Sequence, residues 1–189
     1  MNFESIFAKS HSIVVRPALA DDYEAFVAGF RCCGPSKNRF DDGGFDASFM
    51  REDWYLKLLK RRRKEADRDY SYMLNIFRKQ DGVSLGYCDI TTLFREDFQF
   101  AKIGYTIHNP YWGNGYATEC ALALMKIGFD DLHFHRLEAH VSADNPASKR
   151  VLLKAGFQFE CTRKNFILED GVWTDQEIYF ANNQIWKPN

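Results

Sequence analysis

The sequence predicts an α/β fold of the α+β-like kind, a mixed and mostly antiparallel sheet of about seven strands flanked by about four helices. Three observations predict it. Apolar residues recur at helical spacing over 21–30 and 49–68, then at period two from 70 to 108. A turn stripped of side chains, "WGNGYA" at 112–117, runs straight into another helical pattern. Strand and helix patterns then follow one another to the end. No repeat, low-complexity segment or composition shift marks a linker, so residues 1–189 are expected to form one domain.

In order, "SIVVRPA" (12–18) reads as a short strand that Pro17 ends or places at an edge. "ADDYEAFVAGF" carries acids in a first turn, which predicts a helix from about Asp21 to Phe30. Gly34-Pro35 and Gly43-Gly44 break the chain into a loop. A second helix follows in "FMREDWYLKLLKRRRKEADR", with Phe49, Trp54, Leu58 and Leu59 as its apolar stripe. "YSYMLNIFRK" (70–79), "SLGYCDITTLF" (84–94) and "FQFAKIGYTIH" (98–108) read as a three-stranded antiparallel meander. A helix over about 114–129, the strand "HRLEAHVSA", the helix "NPASKRVLLKA" and a final hairpin complete the order βαα-βββ-α-β-α-ββ.

The bulk properties narrow the partners. With 25 Lys+Arg against 26 Asp+Glu the net charge is -1, so no global field draws in nucleic acid or an anionic membrane. No stretch approaches the ~18 apolar residues of a membrane span, and the charged N-terminus does not read as a signal peptide. The five cysteines, Cys32, Cys33, Cys88, Cys120 and Cys161, form no CxxC pair and read as reduced residues of a cytoplasmic protein. No metal-ligand spacing is present.

Small residues at 113, 115 and 117 let a ligand approach the backbone closely. The first N–H groups of the following helix have no intrahelical acceptor, and the helix dipole makes them an anion site that needs no lysine. GxGxxG and GxxxxGK[ST] are both absent. By pattern alone, a phosphate cradle and a merely tight turn both remain open.

Four segments, the glycine turn, "HRLEA", "NPAS" and "KAGF", occur in that order. Together they resemble the GNAT superfamily of acyl-CoA-dependent N-acetyltransferases, strongly over about 84–181, and most nearly the Rim-type branch that acetylates N-terminal amines of ribosomal proteins. The resemblance implies that acetyl-CoA is the cofactor and that its pyrophosphate rests on Trp112, Gly113, Asn114, Gly115, Tyr116 and Ala117. Trp112 departs from the Gln or Arg usual in the superfamily and agrees with the "YWGxGYATE" form of the Rim-type branch. The resemblance also implies that the strand 103–107 splays from the strand 136–143 and that a main-chain N–H near Ile107 polarises the thioester carbonyl.

Acetyl transfer needs a neutral amine, a stabilised oxyanion and a proton for the departing thiolate. Many family members carry a tyrosine acid where this chain has Leu152; the Rim-type branch offers Ser148, with Asn145 beside it. Asn145 is equally a helix N-cap, and Pro146 a first helical residue. For the base, His108 at a strand end and Asp89 on a neighbouring strand are the candidates, with Glu119 read as a structural hydrogen-bonder. Lys102 stands where Rim-type relatives often have glutamate. His133 and His135 are expected to hold the helix-to-strand connection, and His140 has no assigned role.

Acceptor choice is expected from the first two helices, their loop and the closing hairpin. The acidic "RFDDGGFD" (39–46) would attract a cationic amine or merely be solvated, and "KRRRKEADR" (60–68), interrupted by acids, reads as a solvated basic face in preference to a ribosomal RNA or acidic-protein contact. Trp173, Tyr179 and Trp186 are open to lining a cleft or a dimer contact, with core packing the default reading. The expected acceptor is a protein N-terminus. The alternatives are a small amine (aminoglycoside, polyamine or amino acid), an idle acyl-CoA-binding module and, more distantly, a nucleotide-binding regulator. Nucleic acid enters only through a ribosomal substrate, and the chain is expected as a monomer or homodimer.

Overall fold

The computed structural model describes residues 2–187 apart from 42 and 45. Its strands are β1 (Ala8–Lys9), β2 (Ile13–Arg16), β3 (Ser71–Arg78), β4 (Ser84–Phe94), β5 (Phe100–Ile107), β6 (Arg136–Ser142), β7 (Gln158–Glu169) and β8 (Val172–Asn182). The helices are α1 (Tyr23–Arg31), α2 (Glu52–Asp67), α3 (Tyr116–Lys126) and α4 (Pro146–Lys154). All eight strands join one sheet in the order β1-β2-β3-β4-β5-β6-β8-β7. Every neighbouring pair is antiparallel except β5 with β6. The order of elements matches the sequence reading, with the two-residue β1 added at the edge.

Several boundaries shift. A 3₁₀ turn at Ala20–Asp22 takes the start expected for α1. The helix α3 begins at Tyr116, after the glycines, and ends in a π-helical turn over Ile127–Asp131. There Gly128 lets the helix close on β6, because a Cβ would come within 2.7 Å of Leu137 Cδ1.

Strand alternation sorts the side chains into two layers. Cys88 and Ile90 of β4, Ala101 and Ile103 of β5, and Leu137 and Ala139 of β6 join Cys120, Ala121 and Leu124 of α3 and Leu152 of α4 in the main core. Burying one such leucine contributes ~1.5–3 kcal/mol. A second core on the opposite face joins Phe26 and Val27 of α1 to Met50, just ahead of α2, and Tyr55 of α2. Glu119 ties the sheet edge to α3 by accepting from the Ser10 hydroxyl and, at 2.8 Å, from the Ser12 amide. His133 and His135 both help hold the helix-to-strand connection: Trp186 Nε1 donates to the His133 carbonyl at 2.9 Å, His135 N–H donates to Gln99 O at 2.7 Å, and the His135 ring packs edge-on to Trp186 at 5.9 Å.

The basic run is not uniformly solvated. Arg62 is buried and donates to Asn75 Oδ1 at 2.8 Å; burial lowers its guanidinium to about 10. Tyr179 is buried as expected, whereas Trp173 is 59% exposed at the hairpin.

Candidate active site

The parallel pairing of β5 with β6 covers only Phe100–Lys102 against Arg136–Glu138. Past Lys102, β5 continues along β4 while β6 continues along β8, so the two strands part. A cleft opens through the sheet at this point. Its larger part, about 420 Å³, runs from the glycine turn past Tyr105, Thr106 and Ile107 to Asn145 and Ser148. A smaller chamber of about 290 Å³ on the other side is bordered by Gly104, His140, Ser142, Ile167, Glu169 and Gln176. Phe40, Tyr105, Asn145 and Ser148 border both.

At the near end, Gly113 and Gly115 hold φ of +83° and +82°, and a Cβ at either would meet open space. Only glycine adopts this left-handed backbone without strain. Gly115 is the N-cap of α3, and its carbonyl accepts from Thr118 and Glu119 at 3.0 and 3.1 Å. The amides of Tyr116 and Ala117, ahead of that first closed turn, have no carbonyl to reach within the helix. Asn114 shapes the turn, with Nδ2 donating to the carbonyls of Tyr111 and Trp112. Arg150 and Lys154 of α4 border the same cleft. Open backbone donors at a helix N-terminus, with two cations nearby, suit a diphosphate.

Trp112 Nε1 donates to the Ile107 carbonyl at 2.6 Å. His108 N–H turns the other way, to Leu85 O in β4 at 2.8 Å. Strand alternation therefore aims the Ile107 N–H, like its carbonyl, into the gap between β5 and β6. That edge leaves main-chain groups for an extended ligand arm.

Asn145 caps α4, its Oδ1 accepting the Ser148 amide at 3.1 Å. The Ser148 hydroxyl shares a 2.9 Å hydrogen bond with the Tyr105 hydroxyl, which burial makes a weaker acid than free tyrosine. Sequence reasoning named Ser148 but not Tyr105, its hydroxyl partner. The usual tyrosine position is taken by Leu152, and Leu152 is fully buried.

Of the expected site residues, Ile107, Trp112, Gly113, Gly115, Tyr116, Ala117, Asn145 and Ser148 border one cleft. Asn114 lies within the same turn. The structure places His108 and Asp89 apart from that lining. His108 is buried, with its ring edge-on to Phe30 of α1 at 4.8 Å. Asp89 lies over β5 where Gly104 lacks a side chain: a Cβ there would come within 2.5 Å of Asp89 Oδ1. Burial pushes the Asp89 carboxyl up, against the hydrogen bond from Thr91 Oγ1 at 2.8 Å and the charge of Lys102.

The loop between α1 and α2 crosses this region. Asn109 Nδ2 donates to the carbonyls of Gly34 and Pro35 and to Asp41 Oδ2, while Arg39 reaches Ser142 Oγ at 3.0 Å and pairs with Asp144. Asp42 and Phe45 of the acidic loop lie outside the described residues.

Among the described residues no cluster of three or more His, Cys, Asp or Glu could hold a metal ion, and no helix is long and apolar enough to cross a membrane. The family model described as "Acetyltransferase (GNAT) domain" matches residues 12–158. The Probable N-acetyltransferase YjcK of Bacillus subtilis (strain 168) is 31% identical over 176 residues, spanning 90% of this chain and 93% of that protein. The [Ribosomal protein uS5]-alanine N-acetyltransferase of Escherichia coli (strain K12) is 25% identical over 118 residues, 62% of this chain and 61% of that protein. Mycobacterium smegmatis RimJ, solved in complex with CoA-disulfide, superposes with a TM-score of 0.77 at 21% identity, over 96% of this chain and 88% of that one. A glycine turn at a helix start, an unzipped strand pair beside it and a family match across both lead to one assignment: the chain belongs to the GNAT acetyltransferase family.

Proposed function

We propose that this N-acetyltransferase moves the acetyl group of acetyl-CoA directly to the N-terminal amine of a protein, of the ribosomal-protein type, in the cytoplasm. The observation that carries the reading is the cleft through the sheet. One mouth offers backbone donors for a diphosphate, and the other is a chamber of mixed lining, with His140, Glu169 and Gln176 among apolar side chains, large enough for an amine-bearing chain end. The activity of the Escherichia coli relative, alanine N-acetylation of ribosomal protein uS5, supports the acceptor class. The free thiols fit a reducing compartment.

Bound acetyl-CoA supplies an activated acyl carbon and a thiolate leaving group. The chain's own residues do the rest. The turn Trp112–Ala117 holds phosphate oxygens by its amides, aided by Arg150 and Lys154. The Ile107 N–H, aimed into the gap, stabilises negative charge on the acetyl oxygen. Asn145 fixes the start of α4 and so the place of Ser148, whose hydroxyl, joined to that of Tyr105, delivers a proton to sulfur. The Glu169 carboxylate in the chamber attracts a cationic acceptor.

Thiol release tests the reading across peptides beginning with Ala or Ser, polyamines, aminoglycosides and free amino acids. Turnover is expected with the peptides. Turnover confined to small amines overturns the acceptor class, and CoA binding without any turnover overturns transfer.

A further inference from the structure

An alkylammonium cannot attack a thioester until it gives up a proton. We infer that His140, oriented by Glu138, is the base that takes it. The inference rests on the cleft being the site of acetyl transfer.

Glu138 is the last β6 residue paired with β5, so His140, two residues on, is the first on that face beside the gap. It borders the acceptor chamber with Glu169, Gln176 and Ile167. Its ring packs edge-on against Phe166 of β7 at 5.5 Å, and Nε2 lies 3.0 Å from Glu138 Oε2. The Glu138 side chain is 3% exposed. Arg136 donates twice to its Oε1, at 2.9 and 2.8 Å, and Arg163 Nη2 of β7 stands 3.5 Å from Oε2. Burial pushes this carboxyl up, but the hydrogen bonds from His140 and Arg136 and the two arginine charges outweigh it and hold it below the ordinary glutamate value.

Glu138 is therefore a carboxylate, which only accepts. It follows that Nε2 carries the ring proton and Nδ1 is the basic nitrogen. A carboxylate holding one tautomer of an imidazole in this way leaves the ring ready to take a proton on the other side. Among the described residues, other charged groups at or beside the chamber include Glu169 of β7, Lys102 of β5 opposite Glu138, Asp89 of β4 over Gly104, and Arg39 with Asp144 at Ser142.

The step balances. One proton passes from the ammonium nitrogen to His140 Nδ1 and on to solvent. The freed lone pair forms the bond to the acyl carbon, the C–S bond breaks with its electrons on sulfur, and the second proton lost by nitrogen ends on sulfur by way of Ser148. Glu138 touches no reacting atom and is a positioning residue.

Nitrogen-15 NMR of the ligand-free full chain is expected to show the neutral His140 ring protonated on Nε2, a preference lost in Glu138→Gln. His140→Asn is expected to lower kcat at pH 7 by ~10²–10⁴-fold with the amine of highest turnover from the panel above. Its deficit should narrow as pH rises past the ordinary α-amino value of about 8, where the amine sheds its own proton. Added imidazole should restore part of the rate. Glu138→Gln should lose less, and both variants should bind CoA as the native chain does. A native ring protonated on Nδ1 overturns the inference. So does a His140→Asn deficit that is independent of pH and insensitive to imidazole while CoA affinity holds. If His140→Asn fails to fold, His140→Gln and the native tautomer decide. Failure of the native chain to bind CoA would instead overturn the reading of the cleft.

Discussion

Replacing Gly115 by alanine separates two consequences of one backbone conformation. Gly115 holds φ +82°, and a Cβ there would meet no atom within 4 Å, so the substitution creates no clash. The folding cost is the left-handed strain alone, ~1–2 kcal/mol. At ~2–4 °C per kcal/mol for a chain of this size, Tm should fall by about 2–8 °C. Gly171 in the final hairpin has almost the same backbone, φ +81°, and the same empty surroundings. Gly171→Ala should therefore cost a similar Tm loss. Strain carried equally by free and bound protein leaves affinity alone. CoA affinity should fall only in Gly115→Ala, whose methyl projects into the cleft and displaces the ligand from the amides. Losing one hydrogen bond to a charged oxygen costs ~1.5–3 kcal/mol, or about 10- to 100-fold in Kd at ~1.4 kcal/mol per tenfold. Scanning calorimetry reads the first quantity and titration calorimetry with CoA the second. If Gly115→Ala melts like Gly171→Ala yet binds CoA like the native chain, backbone amides at this turn do not hold the diphosphate.

Ser148→Ala and Tyr105→Phe each break the 2.9 Å hydroxyl pair; each should lower kcat by at least about tenfold, and the double variant no further, since the two act as one unit. Asp89→Asn should raise Tm at pH 7, because burial lifts that carboxyl and its ionised form is a cost above the folded pKa. The gain should disappear as pH falls below about 3.9, where both folded and unfolded forms are protonated. Asp22 has the opposite sign. Burial pushes its carboxyl up, but hydrogen bonds from Arg16 and the Leu19 amide and the charge of Arg16 hold it low, so its stabilisation is present above pH ~3.9 and lost as pH falls through the folded value. A pH series of melts on Asp22→Asn checks this. Arg39→Ala removes an ion pair whose partners are 51% and 61% exposed; stability should change by less than ~1 kcal/mol, while KM for the acceptor rises.

What the sequence revealed were local features. The glycines before α3 announced their own conformation, and "NPAS" announced a capped helix, because each depends on a few adjacent residues. The site's non-local contacts were not legible. Tyr105 and Ser148 are 43 positions apart and meet only because β5 leaves β6 and α4 packs beside it. His108 read as a possible strand-end base, but α1 covers it, at a point where a Cβ on Gly29 would come within 3.2 Å of its Nε2. That approach depends on a glycine 79 residues earlier, and no local pattern reports it. The edge strand β1, only two residues long, is too short for any periodicity to register.

Only three residue pairs join β5 to β6, so the two halves of the sheet meet along a seam stitched at one end. On the proposed reading, a donor drawn into the gap would add rungs between them. Resistance to heat and the slowness of amide exchange along both strands would then rise and fall with the supply of acetyl donor, making the molecule's own durability a measure of the metabolic state around it.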